Sequence, residues 1–295
     1  HTWEVEAREE RIAEEEFAQS QVTMQNLKIK EQNEAAGAKG ELSIRLPEGV
    51  TGEQIAVSND YVTQTIRVEI PQADRTYFDS YPVLGNSDYI DGLSYTRQGE
   101  MGVIEVTTNK VYELQTEYDA QNFYFNFLTP HEVYDKVVVI DAGHGGRAVG
   151  ANKQGINEKD IDLAIVLKLK EIFDNSDQNI GVYYTRTDDS NPTFDQRVQL
   201  ANKSDADLFI SIHNNSTRSG RMSGTSGTQV MYDETSEASR QFAQICLEEV
   251  TGRIGSRDKG LVEGDSIYII RTSEVPVALI EVGFMTNNEE LDQLN

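Results

Sequence analysis

The spacing of apolar residues changes twice along this chain, and this change limits the possible folds more than any other feature. Residues 1 to about 36 are rich in Glu, Gln and Ala and contain few apolar positions. Short runs then alternate apolar with polar residues, and from Val137 onward apolar runs alternate with amphipathic segments. Period-two runs predict strands, and alternating strand and helix patterns predict an α/β domain. The predicted organisation is a helical stalk or linker at 1–38, a small all-β sandwich at 40–130 and an α/β domain at 135–295.

The first region is typical of a helix whose surface stays in water. It contains neither Gly nor Pro before Gly37, and Gly37 and Gly40 predict its end. A thin apolar stripe rarely buries a core, so we expect a solvated stalk or a weak coiled coil. The main apolar positions are Val5, Ile12, Phe17, Val22, Leu27 and Ile29.

The second region has the strand pattern of a small antiparallel β-sandwich. Apolar and polar residues alternate over short stretches rich in β-branched and aromatic side chains, and turn residues such as Pro47-Glu48-Gly49 separate the stretches. The stretches are ELSIRL, IAVSND, TIRVEI, GVIEVTT and NFYFNFL. The acidic residues of this region are scattered, and they form no group that predicts catalysis.

Composition excludes several classes of function. The formal net charge is −24, whereas nucleic-acid binding needs clustered Lys and Arg. The single cysteine, Cys246, excludes an intramolecular disulfide, and its place in an apolar helical pattern favours a buried core residue. No apolar run reaches about 18 residues, so the sequence predicts no transmembrane helix.

The third region predicts a mixed, mostly parallel sheet flanked by helices. The predicted helices run from Glu158 to Phe173, around Phe194 to Asn202, and from Glu237 to about Ile254. The predicted strands are VVVID, GVYYTR, LFISIH, TQVMY, IYIIR and VALIEVGF.

Three of these strands end at a residue that can bind a metal or a proton. His144 lies just past VVVID, His213 follows LFISI, and Glu281 follows VALI. Ligands of open α/β sheets bind at the carboxyl ends of the strands, so we expect the three side chains to meet there. Two imidazoles and a carboxylate are a common catalytic zinc set, and a second carboxylate can then move the proton. The pattern therefore predicts a catalytic metal site.

The pattern leaves the carboxylate ligand open. Glu158 follows Asn157, which suits an N-cap, and a Glu in a first helical turn is usually a favourable partner of the helix dipole. Metal ligation is the alternative role for Glu158. Taken alone, His213 also fits a core histidine at a strand end, whereas the glycines around His144 leave few core side chains there and favour a ligand.

Five segments of the third region together resemble the zinc-dependent N-acetylmuramoyl-L-alanine amidases of bacterial peptidoglycan turnover, the amidase-3 type. They are VVVIDAGHGG, GINEKDIDLAIVLKL, YTRTDD followed by QRVQLAN, ADLFISIHNN and PVALIEVGFMTN. The resemblance covers about residues 135 to 295. It implies that His144, Glu158 and His213 hold Zn²⁺ and that Glu281 is the catalytic carboxylate.

The resemblance also implies a substrate and a place of action. The substrate is the amide between the lactyl group of N-acetylmuramic acid and L-alanine in peptidoglycan. We therefore expect an extracellular bacterial protein associated with the cell wall or cell surface, with an anchor upstream of His1 and no nucleic-acid partner. In position and strand pattern, the β region is similar to the AMIN modules that precede such amidases and bind the wall, and a simple β spacer is the alternative. The sequence predicts no particular oligomeric state.

Three alternatives to a constitutively open amidase remain. Residue chemistry does not separate this amide from a peptide bond, so a zinc peptidase that cuts within the stem peptide is one. A wall-binding module without activity is the second, although all four expected site residues are present. An enzyme held inactive by a helix over the zinc is the third. The stretch between Ser216 and Gln229 shows no clear insertion that would form such a helix, so we expect an open cleft.

Polar residues near the predicted site have open roles. We expect Arg186 and Arg197 to pair with carboxylates near the site, and a grip on a carboxylate of the stem peptide is the alternative. Asn214 and Asn215 would orient metal ligands or contact the substrate. The Gly- and Ser-rich residues 219–227 are expected to line the cleft.

Overall fold

The computed structural model describes residues 2–31 and 39–295, without the side chains of residues 2 and 3. The chain forms two compact units, one made of His1–Gln21 with Asp135–Asn295 and the other of Val22–Tyr134. The helix end predicted at Gly37 lies outside the described residues. Within the described ranges, every helix is too short or too polar to cross a lipid bilayer.

Helices are concentrated in the first unit, whereas short strands dominate the second. The helices are α1 (Thr2–Ser20), α2 (Arg75–Ser80), α3 (Pro130–Val133), α4 (Glu158–Asp174), α5 (Phe194–Lys203), α6 (Glu237–Ile254), α7 (Tyr268–Arg271) and α8 (Asn288–Leu294). The strands of the Val22–Tyr134 unit are β1 (Gln25–Asn26), β2 (Lys30–Glu31), β3 (Leu42–Arg45), β4 (Ala56–Asp60), β5 (Thr65–Pro71), β6 (Leu84–Gly85), β7 (Ile90–Gln98), β8 (Met101–Thr108), β9 (Glu113–Tyr118) and β10 (Asn122–Leu128). The strands of the other unit are β11 (Lys136–Ala142), β12 (Asn152–Lys153), β13 (Ile156–Asn157), β14 (Ile180–Tyr184), β15 (Leu208–Asn215), β16 (Thr228–Tyr232), β17 (Asp258–Glu263) and β18 (Val277–Phe284).

The Val22–Tyr134 unit contains two five-stranded sheets around one core. Their strand orders are β1-β7-β8-β5-β4 and β2-β6-β3-β10-β9. In β5 and β10 every second side chain is buried, which matches the alternation in the sequence. Val68 and Ile104 from the first sheet and Phe125 from the second belong to the same hydrophobic cluster, so the two sheets share their apolar faces.

The first helix is shorter than its sequence predicts. α1 ends at Ser20, and the residues that follow join the β unit as β1 and β2. Leu27 and Ile29 pack against the β core, and the backbone N–H of Leu27 donates to the carbonyl oxygen of Leu93 at 3.0 Å. The sequence pattern places both residues on the apolar stripe of a helix. In the β core they bury more apolar surface than they would on a solvated helix.

The Asp135–Asn295 segment forms a six-stranded mixed sheet with the order β14-β11-β15-β18-β16-β17. The first four strands are parallel, and β16 is antiparallel to β18. Val166 of α4 and Leu247 of α6 share a core with the strand residues Ile140 and Ile280. Because β11, β15 and β18 lie side by side and run in one direction, their carboxyl ends meet at one edge of the sheet.

One predicted strand is a helix. IYIIR contains α7, in which the adjacent residues Ile269 and Ile270 are both buried, whereas a strand would alternate burial. The sheet edge is formed by β17 instead, which the sequence did not predict because Gly260 interrupts its short apolar run.

Candidate metal and catalytic site

Four side chains converge at the carboxyl ends of the central strands. His144 lies two residues beyond β11, His213 lies near the end of β15, and Glu158 is the first residue of α4. Glu281 of β18 is the direct neighbour of His213 in the parallel register. The sheet therefore brings together the residues that the strand-end pattern singled out, and α4 adds the carboxylate that the pattern left open.

The Glu158 carboxylate lies between the two imidazoles. Its Oε1 is 3.1 Å from Nε2 of His144 and 3.3 Å from Nδ1 of His213. The two rings meet edge to face with their centroids 4.8 Å apart. Together with Asp162, these residues offer one donor atom each within 4.8 Å of one another. A group of this size and with these donor types can hold a divalent metal ion.

Main-chain donors fix Glu158 in place. The backbone N–H of Ala151 donates to Oε2 at 2.7 Å, and that of Asn214 donates to Oε1 at 3.0 Å. Burial alone would raise the pKa of Glu158, but the charge of His144 and hydrogen bonds with both histidines outweigh burial and lower this pKa well below its usual value. Glu158 is therefore ionised, which is the form that a metal ligand requires.

Four buried polar atoms at this site have no hydrogen-bond partner within the described part of the chain: Nδ1 of His144, Oδ2 of Asp162, Oδ1 of Asn214 and Oε2 of Glu281. Oε2 of Glu9 lies 3.2 Å from Nδ1 of His144, at ion-pairing distance. A buried polar atom left unpaired costs about 1–3 kcal/mol. A cation or a polar ligand at the site would offset this cost, so these atoms fit a metal-binding role.

Glu281 has the protonation behaviour of an acid–base catalyst. Burial, followed by the negative charge of Glu158, raises the pKa of Glu281 to about 8. A carboxyl group that titrates near neutral pH can both accept and release a proton there. Glu281 lines a cavity of about 720 Å³ that is also lined by His144, Glu158 and His213.

The loop that carries His144 needs glycine for close packing. A methyl group on Gly143 would overlap the ring of His213, so only glycine allows this ring to lie against the loop. His144 itself has a φ of 57°, in the left-handed region that residues other than glycine rarely adopt and that is common at functional sites. The AGHGG segment is thus shaped to present one imidazole beside the other.

The side chains of Arg186 and Arg197 bind the main chain of the loop that carries His144. Both are buried, and Arg197 pairs with Asp141 at 2.6 Å. Each arginine also donates to two carbonyl oxygens of the 142–144 loop, at 2.6–3.0 Å. The expected carboxylate partner is present for Arg197, whereas Arg186 binds carbonyl oxygens. Both guanidinium groups are buried and hydrogen-bonded within the protein, which fits the structural role expected of them.

Asp162 is a member of the cluster that the sequence analysis missed. It lies one helical turn after Glu158 and is completely buried. Nδ2 of Asn214 donates to Oδ1 of Asp162 at 2.8 Å, whereas its backbone N–H donates to the proposed ligand Glu158. Burial, followed by the charge of Glu158, raises the pKa of Asp162 well above its usual value. The i, i+4 spacing from Glu158 was the available signal for this residue.

The cleft is lined differently from the prediction. Residues 216–218 and 267–269 line the cavity, whereas the sequence predicted that residues 219–227 would do so. Val5, Glu6 and Glu9 of α1 line it too, so one face of α1 packs on the catalytic unit, where a solvated helix was expected. The face that α1 buries is acidic, and an analysis of apolar stripes does not detect such a face.

Comparisons with known proteins agree with this geometry. The family model described as N-acetylmuramoyl-L-alanine amidase matches residues 138–295. An uncharacterized protein of Bacillus subtilis (strain 168), YqiI, is 38% identical over 165 residues, which cover 54% of this chain and 75% of YqiI. The N-acetylmuramoyl-L-alanine amidase CwlM of Bacillus licheniformis is 31% identical over 157 residues, which cover 53% of this chain and 60% of CwlM.

Comparison of the fold with solved structures leads to the same family. The crystal structure of N-acetylmuramoyl-L-alanine amidase from Clostridium difficile 630 superposes with a TM-score of 0.51 and 33% identity, over 54% of this chain and 85% of that chain. The matched part is the α/β segment that carries the candidate site. The family that the sequence motifs resemble is therefore confirmed, and this chain belongs to the N-acetylmuramoyl-L-alanine amidase family.

Proposed function

We propose that the α/β unit hydrolyses the amide between the lactyl group of N-acetylmuramic acid and L-alanine in peptidoglycan, with Zn²⁺ held by His144, Glu158 and His213. The observation that carries this proposal is the convergence of two imidazoles and an ionised carboxylate beside the buried carboxyl group of Glu281. This donor set suits zinc and leaves a coordination position open. A bound zinc ion would polarise the scissile carbonyl and lower the pKa of a water molecule to about 7.

Glu281 moves the proton in this reaction. It accepts a proton from the attacking water as the water oxygen bonds to the carbonyl carbon. It returns that proton to the alanine nitrogen as the carbon–nitrogen bond breaks, which leaves a lactyl carboxylic acid and a free amine. The acid then gives up its proton to the amine or to solvent and becomes a carboxylate. Asp141, through Arg197, and Asp162, through Asn214, position the main chain around the site without contacting the reacting atoms.

We also propose where the protein acts and how its regions divide the work. A peptidoglycan substrate implies that the protein acts at the bacterial cell wall or cell surface. The zinc amidase domain corresponds to residues 135–295, and the β region at 40–130 is an AMIN-like wall-binding module. Sedimentation of the chain with insoluble, amidase-resistant wall material tests the β region, because a pure spacer would remain in the supernatant.

Mass spectrometry of digested peptidoglycan tests the reaction. Amide hydrolysis yields glycan strands with free lactyl carboxylates, together with intact stem peptides that begin with the amino group of L-alanine. Stem peptides cut internally, with L-alanine still joined to the sugar, would instead identify a zinc peptidase. Zinc binding without release of any fragment would favour a wall-binding module.

A further inference from the structure

The wall of the cavity at the candidate site carries mostly acidic side chains. The acidic residues of this wall are Glu6, Glu9, Asp141, Glu158 and Glu281. Such a wall repels a further anion, for example a carboxylate of a ligand, unless a cation offsets the charge locally. Two arginines, Arg197 and Arg218, line the same cavity. Their positions therefore decide where an anionic group of a ligand can lie.

The two arginines differ in their surroundings. Arg197 is buried, and its guanidinium group binds Asp141 and carbonyl oxygens of the 142–144 loop. Arg218 is exposed, and within residues 2–31 and 39–295 its guanidinium group has no hydrogen-bond or ion-pair partner. An unpaired guanidinium group presents five N–H donors in a planar fork that matches a carboxylate. Arg218 is therefore available to an anionic group of a ligand.

Hydrogen bonds hold the loop that carries Arg218. The backbone N–H of Thr217 donates to Oγ1 of Thr286 at 3.1 Å, and that of Ser223 donates to the carbonyl oxygen of Thr286 at 2.7 Å. Thr286 is buried, and the N–H of Gly220 closes a turn on the carbonyl oxygen of Thr217 at 2.7 Å. A backbone that is already held loses less conformational entropy when a side chain on it binds a ligand.

Arg218 lies close to the proposed metal site along the chain. It follows His213 by five residues and the end of β15 by three. Five residues of chain span at most about 17 Å, and Arg218 and His213 line one cavity. An extended peptide covers a similar distance with a similar number of residues, so the first residues of a peptide bound at the metal site lie within this range.

The proposed substrate carries charge on only one side of its scissile amide. On one side, the lactyl group joins an uncharged N-acetylated sugar. On the other side, L-alanine is followed by D-glutamate, whose side-chain carboxyl group continues the peptide and whose α-carboxylate is left free. A cation beside the metal site therefore distinguishes the peptide side of the substrate from the glycan side.

We propose that Arg218 binds the α-carboxylate of the residue that follows L-alanine and thereby sets the direction in which the substrate lies across the metal site. This inference rests on the proposed amidase function, because that function supplies the peptide. Arg218 contacts the substrate away from the reacting atoms, so it acts on binding and specificity. The acidic wall strengthens this selection, because it disfavours the carboxylate at other positions in the cavity.

Three variants of the full chain test this role. Arg218→Gln removes the charge and keeps a polar side chain. Arg218→Lys keeps the charge but lacks the planar fork that binds both carboxylate oxygens. Arg221→Gln is the matched control, because Arg221 is exposed in the same loop, outside the lining segment 216–218, and its loss changes the net charge equally. Equal zinc content in all variants shows that the metal site is intact.

Peptide binding is measured without turnover. The zinc-loaded protein is titrated calorimetrically with L-alanyl-D-glutamine, which has a free α-carboxylate, and with its α-amide, which has none. We expect the wild type and Arg221→Gln to bind the carboxylate about tenfold more tightly than the amide, as a charge-assisted contact should. Arg218→Gln should bind both peptides equally, and Arg218→Lys should keep an intermediate preference. A wild type without preference, or Arg218→Gln with the full preference, would overturn the proposal.

Hydrolysis of the matching N-acetylmuramoyl peptides separates this role from the amidase function itself. Arg218→Gln should raise KM for the carboxylate substrate about tenfold with kcat unchanged, and leave both constants for the amide substrate as in the wild type. An equal rise of KM in Arg221→Gln would overturn the assignment to Arg218, because the effect would then follow from net charge alone. A wild type that binds the peptides with the expected preference but hydrolyses neither substrate would support Arg218 as a carboxylate site and overturn the proposed amidase function.

Discussion

In the proposed reaction, proton transfer depends on one carboxyl group, that of Glu281. Glu281→Gln keeps the shape of the side chain but cannot accept a proton, so zinc content should be unchanged while hydrolysis falls by about 10²–10⁴-fold. Zinc content is measured by elemental analysis and hydrolysis by release of soluble muropeptides. Glu171→Gln, on the exposed surface of α4, is the matched control and should behave as the wild type. Loss of zinc from Glu281→Gln would make Glu281 a metal ligand instead.

Asp141 links stability to pH through its ion pair with Arg197. Burial raises the pKa of Asp141, but the charge of Arg197 and hydrogen bonds from Ser211 and Thr185 outweigh burial and lower it to about 2. Because Asp141 has its ordinary pKa of 3.8 in the unfolded chain, its ionised form contributes about 2 kcal/mol of stability above that pH. This contribution is lost as pH falls from about 4 to about 2.

Asp141→Asn should therefore unfold at lower denaturant concentration at pH 7, at a cost of about 3–5 kcal/mol, because Arg197 is left as an unpaired buried charge. Its stability should also depend less on pH in the acid range than that of the wild type. Denaturant titrations at a series of pH values measure both effects. Exposed Asp292→Asn is the control, and an equal acid dependence in Asp141→Asn would contradict this role of Asp141.

At the level of single residues, the sequence predicted the position of a side chain where the order of parallel strands determines it. His144, His213 and Glu281 each lie at or near the end of a strand, and parallel strands bring such residues together. Glu158 could not be assigned from spacing, because a glutamate in a first helical turn is ordinary, and its candidate role came from the family resemblance. Asp162 was missed because a buried carboxyl group is unexpected in a helix until its partner Asn214 is known.

At the scale of single elements, a capping box fixes the start of α5. The side chain of Thr193 accepts from the N–H of Gln196 at 3.1 Å, and Oε1 of Gln196 accepts from the N–H of Thr193 at 2.9 Å. This capping box sets the position of Arg197 one turn later. Thr193→Ala should cost about 1 kcal/mol of unfolding free energy, measured by denaturant titration. Thr225→Ala, at a half-buried loop position outside any helix, is the control, and equal stability of the two variants would contradict a role for the cap.

The sequence predicted secondary structure or burial wrongly where the buried residues do not recur at the apolar spacing of a strand or a helix. IYIIR has the composition of a strand, yet Ile269 and Ile270 are both buried within the short helix α7. α1 was predicted as a helix but expected to be solvated, because its buried face consists of carboxylates and Ala13. Hydrogen-bond donors from distant parts of the chain stabilise such a face, and the local sequence does not reveal these partners.

At the scale of the whole molecule, each of the two units has a hydrophobic core of its own. One core belongs to the Val22–Tyr134 unit, and the other surrounds the sheet that carries the candidate site. We therefore expect two calorimetric transitions, of which a zinc chelator lowers only one. Zinc at about 100 times its dissociation constant should stabilise the catalytic unit by about 2.7 kcal/mol. A chelator that shifts both transitions equally, or neither, would contradict this assignment.

The sequence predicted the fold of the catalytic unit well, but it did not predict how α1 packs on that unit. The order of motifs from residue 135 onward predicts a mixed sheet and the amidase family, and both are confirmed. The contacts between α1 and the catalytic unit join residues more than a hundred positions apart, such as Glu9 and His144. Pairings at that separation carry no local periodic signal, so neither composition nor spacing predicts them.

Zinc titration of the metal-free full chain tests the central claim most directly. We expect the wild type to bind one Zn²⁺, and His144→Ala and His213→Ala to lose this binding by calorimetry. His131→Ala, which changes an exposed histidine of the other unit, should keep it. Zinc bound by both His144→Ala and His213→Ala with the affinity of the wild type would contradict the claim that these imidazoles hold the metal.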